Sequence, residues 1–231
     1  MEAELSDAEK GYAVYTRRTL SFYDRFVHGF SNRYIWKCPT EELLDLYREH
    51  ISTNHLEVGV GTGLFLEKTL PDVELRLALL DANRDCLDFA AEKLERFRPE
   101  LHQENLLEPL EIPGAGYDSI GLNYVLHCLP GRPEEKIEIV FDNLCRFLHE
   151  KGTLFGSSIL STDIQAPWLA RRMMKSYNRK GIFSNENDSL GAVMEGLQSR
   201  FKTFNVEVRG CVVIFWGRGV RDGYRDRLLN P

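Results

Sequence analysis

Three glycines alternate at Gly59, Gly61 and Gly63, directly after an apolar run that carries one acid, Glu57, and directly before a helical pattern. Glycine lets a backbone turn sharply and lets a ligand approach closely. The first turn of the following helix offers free N–H groups. Asp81 ends the next apolar run, twenty-two positions after Gly59. A carboxylate at that spacing can accept hydrogen bonds from both hydroxyls of a ribose. The set points to a nucleoside cofactor. A dinucleotide turn reads G-x-G-x-x-G and needs a glycine where this chain has Leu64. Glu57 would also meet a diphosphate with like charge. A carboxylate there suits a cation instead, such as the amino group of S-adenosyl-L-methionine (SAM). The bland alternative is a tight turn with a surface Asp81, but strand, helix and spaced acid occur together.

His127 is the candidate general base. It follows a predicted strand on the side where ligands gather, and an imidazole titrates near neutral pH; orienting a loop under Pro130 is its other reading. Tyr124 is a candidate for the acceptor pocket. No metal site is expected, because the six histidines lack H-x-x-x-H or H-E-x-x-H spacing. Cys38, Cys86, Cys128, Cys145 and Cys211 are odd in number, and no two have C-x-x-C spacing. That usage predicts reduced thiols and a cytoplasmic location.

The elements that must hold these residues are legible as periodicities. Apolar strands are expected over 55–60, 75–81, 101–105, 118–123 and 152–160, with helices over 64–70 and 86–97. Ile137, Val140, Phe141, Leu144 and Leu148 mark a further amphipathic helix. Another carries Trp168, Leu169, Met173 and Met174, and the next carries Leu190, Val193, Met194, Leu197 and Phe201. Residues 206–208 and 212–216 read as a closing hairpin across Arg209-Gly210. Upstream, 12–50 holds aromatic-rich helical segments, with Thr40 expected as an N-cap. Strand–helix repeats imply a mostly parallel sheet with helices on both faces, and ligands at the carboxyl ends of the strands. The helix after the fifth strand brings Trp168, Met173 and Tyr177 to that edge, which suggests an apolar or aromatic acceptor.

The chain of 231 residues carries 29 Lys plus Arg against 35 Asp plus Glu, a formal charge of −6, and 43% hydrophobic residues. Those values predict one folded domain and argue against a protein that coats nucleic acid. The longest apolar runs, such as 212–216, fall far short of a membrane span. The acidic N-terminus, Met1-Glu2-Ala3-Glu4, lacks the apolar stretch of a signal peptide.

The segment His55-Leu56-Glu57-Val58-Gly59-Val60-Gly61-Thr62-Gly63 resembles the first motif of the class I SAM-dependent methyltransferases. Leu79-Leu80-Asp81-Ala82-Asn83 resembles the second, whose acid binds the ribose. Glu104-Asn105-Leu106 resembles the third, with Asn105 where the family often has Asp on the adenine amino group. Tyr117 to Leu126, including Asn123, resembles the fourth. The likeness spans roughly 56 to 160. Phe22-Tyr23-Asp24-Arg25-Phe26 to Tyr34-Ile35-Trp36 is similar to the lid helices of ubiquinone/menaquinone-type small-molecule methyltransferases. That likeness would set Tyr23, Tyr34 and Trp36 over the methionine end of the cofactor. Core packing is the competing reading of these aromatics.

The resemblance implies an α/β, Rossmann-like fold with a doubly wound, mostly parallel seven-stranded sheet and a C-terminal antiparallel hairpin. A single catalytic domain would comprise a helical N-terminal cap (1–52), a cofactor core (53–160), and substrate-lid helices with the hairpin (161–231). SAM is the implied cofactor, and a small, partly apolar metabolite, of the kind met in secondary metabolism, is the implied acceptor at oxygen or carbon. Base N-methyltransferases of this fold carry N-P-P-aromatic after the fourth strand, whereas Asn123-Tyr124-Val125-Leu126 stands here, so nucleic acid is not the expected substrate. A homodimer stays open. Two other readings compete: a SAM-binding protein without methyl transfer, regulatory or cyclase-type, and an NAD-dependent oxidoreductase. The latter fails at Leu64 and lacks a Tyr-x-x-x-Lys pair.

Overall fold

The computed structural model describes residues 24–229. Its elements run α1 (Asp24–Ile35, a wide π-type helix), α2 (Thr40–His50), β1 (Asn54–Val58), α3 (Leu64–Thr69), β2 (Arg76–Asp81), α4 (Arg84–Lys93) and β3 (Glu100–Gln103). They continue through β4 (Tyr117–Asn123), α5 (Pro133–Cys145), β5 (Leu148–Ile159), α6 (Trp168–Arg179), α7 (Leu190–Arg200), β6 (Phe201–Arg209), β7 (Val212–Val220) and α8 (Asp222–Leu229).

All seven strands join one sheet in the order β3-β2-β1-β4-β5-β7-β6. β3 to β5 are mutually parallel, and β7 enters antiparallel between β5 and β6. β1 lies at the reversal of strand order, where the chain has wound outward to β3 and must return to β4. Strand pleating splits the core in two. On β2, Leu77 and Leu79 face one apolar layer with α2, α3, α4 and α6, while Ala78 and Leu80 face the other with α5 and α7. With both faces covered, the central strands read as continuous apolar runs.

Several expected boundaries move. Pro39, not Thr40, precedes the first turn of α2 and no side chain caps it; the Thr40 hydroxyl accepts from Asn32 Nδ2 at 3.0 Å. The helix expected over 86–97 ends at Lys93, and a tight turn over Glu95–Phe97 passes into Arg98 at φ 47°. Leu148 and Phe201, taken as helix ends by periodicity, are the first residues of β5 and β6. At such junctions one apolar residue satisfies both periods, and strand pairing decides. No periodicity announced α8.

Candidate active site

A cleft opens at the carboxyl ends of β1, β2 and β4, and its walls carry most of the residues the motifs singled out. Gly59, Gly61 and Gly63 all adopt left-handed backbone, at φ 67°, 53° and 69°. A Cβ on Gly59 would stand 2.2 Å from Val125 Cγ2, so the turn is packed directly against the loop after β4. Val60, Gly61, Ala82 and Asn83 turn their backbone N–H groups onto the Asp81 carboxylate, Asn83 at 2.9 Å. Burial still outweighs those bonds and lifts the Asp81 carboxyl to about 6.

Glu57 is buried on the cleft floor. Its Oε1 accepts from Tyr47 Oη at 2.5 Å, and its Oε2 lies 3.0 Å from His55 Nε2. His55 Nδ1 sits 2.8 Å from Ser119 Oγ, itself 2.8 Å from Ser52 Oγ. A Cβ on Gly121 would lie 2.4 Å from Glu57 Oε2, so the neighbouring strand must carry glycine there. Sequence reasoning missed Tyr47, His55 and Ser119. Gly121, an isolated glycine inside a strand, was the available sign of a close approach. Beside them Asn123 accepts from Ser157 Oγ, and its buried Nδ2 has no hydrogen-bond partner among the described residues.

Glu57, Gly59, Gly61, Asp81, Ala82, Asn105, Leu106, Asn123 and Tyr124 all line the cleft. Gly63 caps α3 just behind it. Asn83 spends its side chain on the N-cap of α4, accepting from Asp85 N at 2.9 Å. Asn105 closes its own turn: Oδ1 accepts from Leu107 N at 3.1 Å and Nδ2 donates to Glu108 at 3.0 Å. Tyr23 falls outside the described residues.

Trp36 packs as core and is not brought to the cleft wall; it is 3% exposed and its ring stands 5.9 Å from Phe183. Phe183 is a hub that the sequence did not announce. Its ring also meets His127 at 4.5 Å and Tyr177 at 5.0 Å. His127 is buried behind the cleft wall, and burial with nearby Lys136 pushes its imidazole down to about 3. A base that weak is neutral at working pH and accepts a proton poorly. Met173 is half-buried in α6, whereas Trp168 is 69% exposed and points to solvent.

Lys136 is buried and bridges the two sides. Its Nζ donates to Leu129 O at 3.1 Å, Ser184 O at 2.9 Å and Asp188 Oδ2 at 3.0 Å. Ser184 N returns a bond to His127 O at 2.7 Å. Asn185 is locked by Asn178 and by Ile159 O. The strap 181–188 is therefore tied to the loop after β4.

The residues present fit a cationic nucleoside. Among the described residues the cleft lining contains three carboxylates, Glu57, Asp81 and Glu104, and no Lys, Arg or His. A diphosphate would find no countercharge among them. The glycine turn offers close approach, and the orphaned Asn123 Nδ2 is a donor held ready in the wall.

Comparison with known proteins agrees. Residues 56–154 match the model of the methyltransferase domain family. Methyltransferase aurB of Calcarisporium arbuscula is 35% identical over 207 residues, covering 84% of this chain and 90% of that protein. Demethylluteothin O-methyltransferase of Streptomyces thioluteus is 32% identical over 206 residues, 89% of each. Among solved structures, the N-methyltransferase NodS from Bradyrhizobium japonicum, in complex with S-adenosyl-L-homocysteine, superposes with a TM-score of 0.60 at 15% identity, over 89% of this chain and 98% of that one. The fold, the carboxylate-lined cleft and these relatives converge: the chain belongs to the class I SAM-dependent methyltransferases that act on small molecules.

Proposed function

We propose that this enzyme O-methylates a hydroxyl on a small, largely apolar secondary metabolite in the cytoplasm, working as one catalytic unit whose cap and lid segments flank the cofactor core. The observation that carries the cofactor assignment is a cleft wall that, among the described residues, holds three carboxylates and no cation. The acceptor assignment draws support from relatives named for such work, including the physcion biosynthesis cluster O-methyltransferase of Aspergillus chevalieri, 33% identical over 215 residues, 92% of this chain and 96% of that protein.

SAM supplies a methyl group already activated on a sulfonium. The residues of this chain bind and orient. In this reading Asp81 takes the ribose hydroxyls and Glu57, fixed by Tyr47 and His55, takes the cationic amino group. The backbone at Gly59, Gly61 and Gly63 permits the approach, and Gly63 frees the α3 N-terminus. Ala82, Leu106 and the Asn105 backbone flank the base, and Asn83 acts through its backbone bond to Asp81. Asn123 Nδ2 meets the amino-acid end.

Tyr124 borders the acceptor side, where Tyr177 and Met173 back the aromatic cluster. His127 serves there as a neutral positioning residue rather than a proton acceptor. Passing a proton from a phenol, ordinarily near pKa 10, to an imidazole at about 3 would be uphill by roughly 9 kcal/mol. Alignment of the acceptor oxygen does most of the work, as it does wherever the leaving group is already activated.

Calorimetry with SAM and with NAD tests the cofactor, and mass spectrometry of metabolites incubated with methyl-labelled SAM tests transfer. Heat with SAM alone and label on an oxygen are expected. No SAM binding at millimolar concentration ends the reading. Tight binding without turnover over a broad phenol panel favours a non-transferring SAM protein.

A further inference from the structure

Helix α6 presents a face that no element among the described residues uses. Trp168, Arg171, Arg172, Lys175 and Arg179 recur at i, i+3, i+4, i+7 and i+11, which places them in one stripe of a helix. All five are exposed, while Ala170 and Met174 on the opposite side are buried in the core. Lys180 follows at the helix end, also exposed. From 164 to 185 the chain carries these five cations and no acid, so its overall −6 leaves −11 on all other residues. Elsewhere exposed arginines such as Arg48, Arg84, Arg96, Arg132 and Arg209 sit beside carboxylates, Arg48 beside Glu41 and Asp45. No ion pair joins Arg171, Arg172, Lys175, Arg179 or Lys180 to any described acid. At the head of the stripe the Trp168 indole is 69% exposed, beside Leu169 at 36%.

We propose that this face of α6 docks the enzyme on an anionic lipid surface. Cations spaced along one side of a helix, headed by an exposed indole and leucine, are the composition of an interfacial anchor. The indole suits the headgroup level, with an apolar ring and one N–H donor. The size of the face favours lipid over protein. Twelve helical residues span about 18 Å and expose a strip about 10 Å wide, roughly 200 Å², whereas a stable protein interface takes about 800 Å² from each partner. A fluid bilayer needs no matching shape, and each Lys or Arg near it adds attraction. The acidic remainder of the molecule is repelled by the same surface, so the protein must sit with α6 down. The inference concerns attachment, and it stands whichever acceptor is methylated.

The test is co-sedimentation of the full chain with vesicles of phosphatidylcholine alone and of phosphatidylcholine mixed with phosphatidylserine. Partition onto the mixed vesicles at low salt is expected, with release as salt approaches about 1 M, where charges are screened within about 3 Å. The triple substitution R171E/R172E/K175E should lower partition at least roughly a hundredfold, by the loss of three surface attractions, with SAM affinity unchanged as the check on folding. On the mixed vesicles tryptophan emission should shift to the blue, and Trp168→Phe should abolish the shift. Failure of the wild-type chain to bind mixed vesicles overturns the proposal. So does equal binding by the triple variant, and so does retention on poly-glutamate without vesicle binding, which would assign the face to an acidic protein.

Discussion

The cofactor cleft and the acceptor side are built by different means. In the cleft, backbone carries most of the design, three left-handed glycines and four N–H groups on Asp81, with one carboxylate gripped by the side chains of Tyr47 and His55. On the acceptor side, the side chains of Trp36, His127 and Tyr177 meet at Phe183, and a buried lysine ties its strap to the loop after β4. A backbone-built site transmits a change at one residue locally. A side-chain hub should spread a change over every segment it joins. The contrast also separates constant from variable chemistry, since one cofactor serves a family and the acceptor differs among its members.

That contrast can be broken most forcefully at Lys136. Lys136→Met strands a carboxylate, Asp188, whose burial already lifts it to about 6. Removing one partner of a buried pair costs about 3–5 kcal/mol, read as a lower denaturant midpoint. Adding Asp188→Leu should recover much of that loss. In the folded double variant the acceptor KM should rise while SAM affinity holds. Equal losses for both ligands would show that the two sides are not separable.

Gly59→Ala sets a Cβ in left-handed backbone against Val125, for about 2–4 kcal/mol of combined strain and overlap. Val125→Ala in the same chain should return the steric share only, and calorimetry with SAM reads both.

Asp81→Ala should weaken SAM binding by about 1.5–3 kcal/mol, the range for hydrogen bonds to a charged group. The native carboxyl titrates at about 6, so it is ionised above that pH and protonated below it. SAM affinity should therefore hold from pH 8 to 7 and fall as pH drops through about 6. Titration calorimetry across that range checks it, and a flat profile would place the ribose elsewhere.

The smallest effect is expected at His127. His127→Gln should change kcat less than about tenfold, where loss of a general base costs about 10²–10⁴-fold. Its depressed pKa has a second consequence. Unfolding releases an imidazole that charges near pH 6.5, so this group's stabilising share is whole above that pH. It is lost progressively as pH falls toward 3. The Gln variant should lose less stability between pH 6.5 and 4.5 than the native chain, by thermal melts.

The motif glycines, Asp81 and the strand–helix alternation were legible because each is a local pattern a few residues long. Asn105 and Asn83 were located by the motifs, but that both side chains close their own turns was not legible. Trp36 and Trp168 look alike as aromatic residues near a site, yet one is 3% exposed and the other 69%. Nothing within a few positions of either distinguishes them.

The sequence by itself determined the succession of strands and helices through β7, the cofactor turn and its preference for a cation over a diphosphate. Those follow from backbone freedom and charge, which act over a single turn. Only the tertiary structure decided that Tyr47 and His55 grip Glu57, that Lys136 clasps the strap, and that His127 is buried. Each of these depends on burial and on partners tens of residues away, and desolvation is a property of the assembled interior, not of the chain.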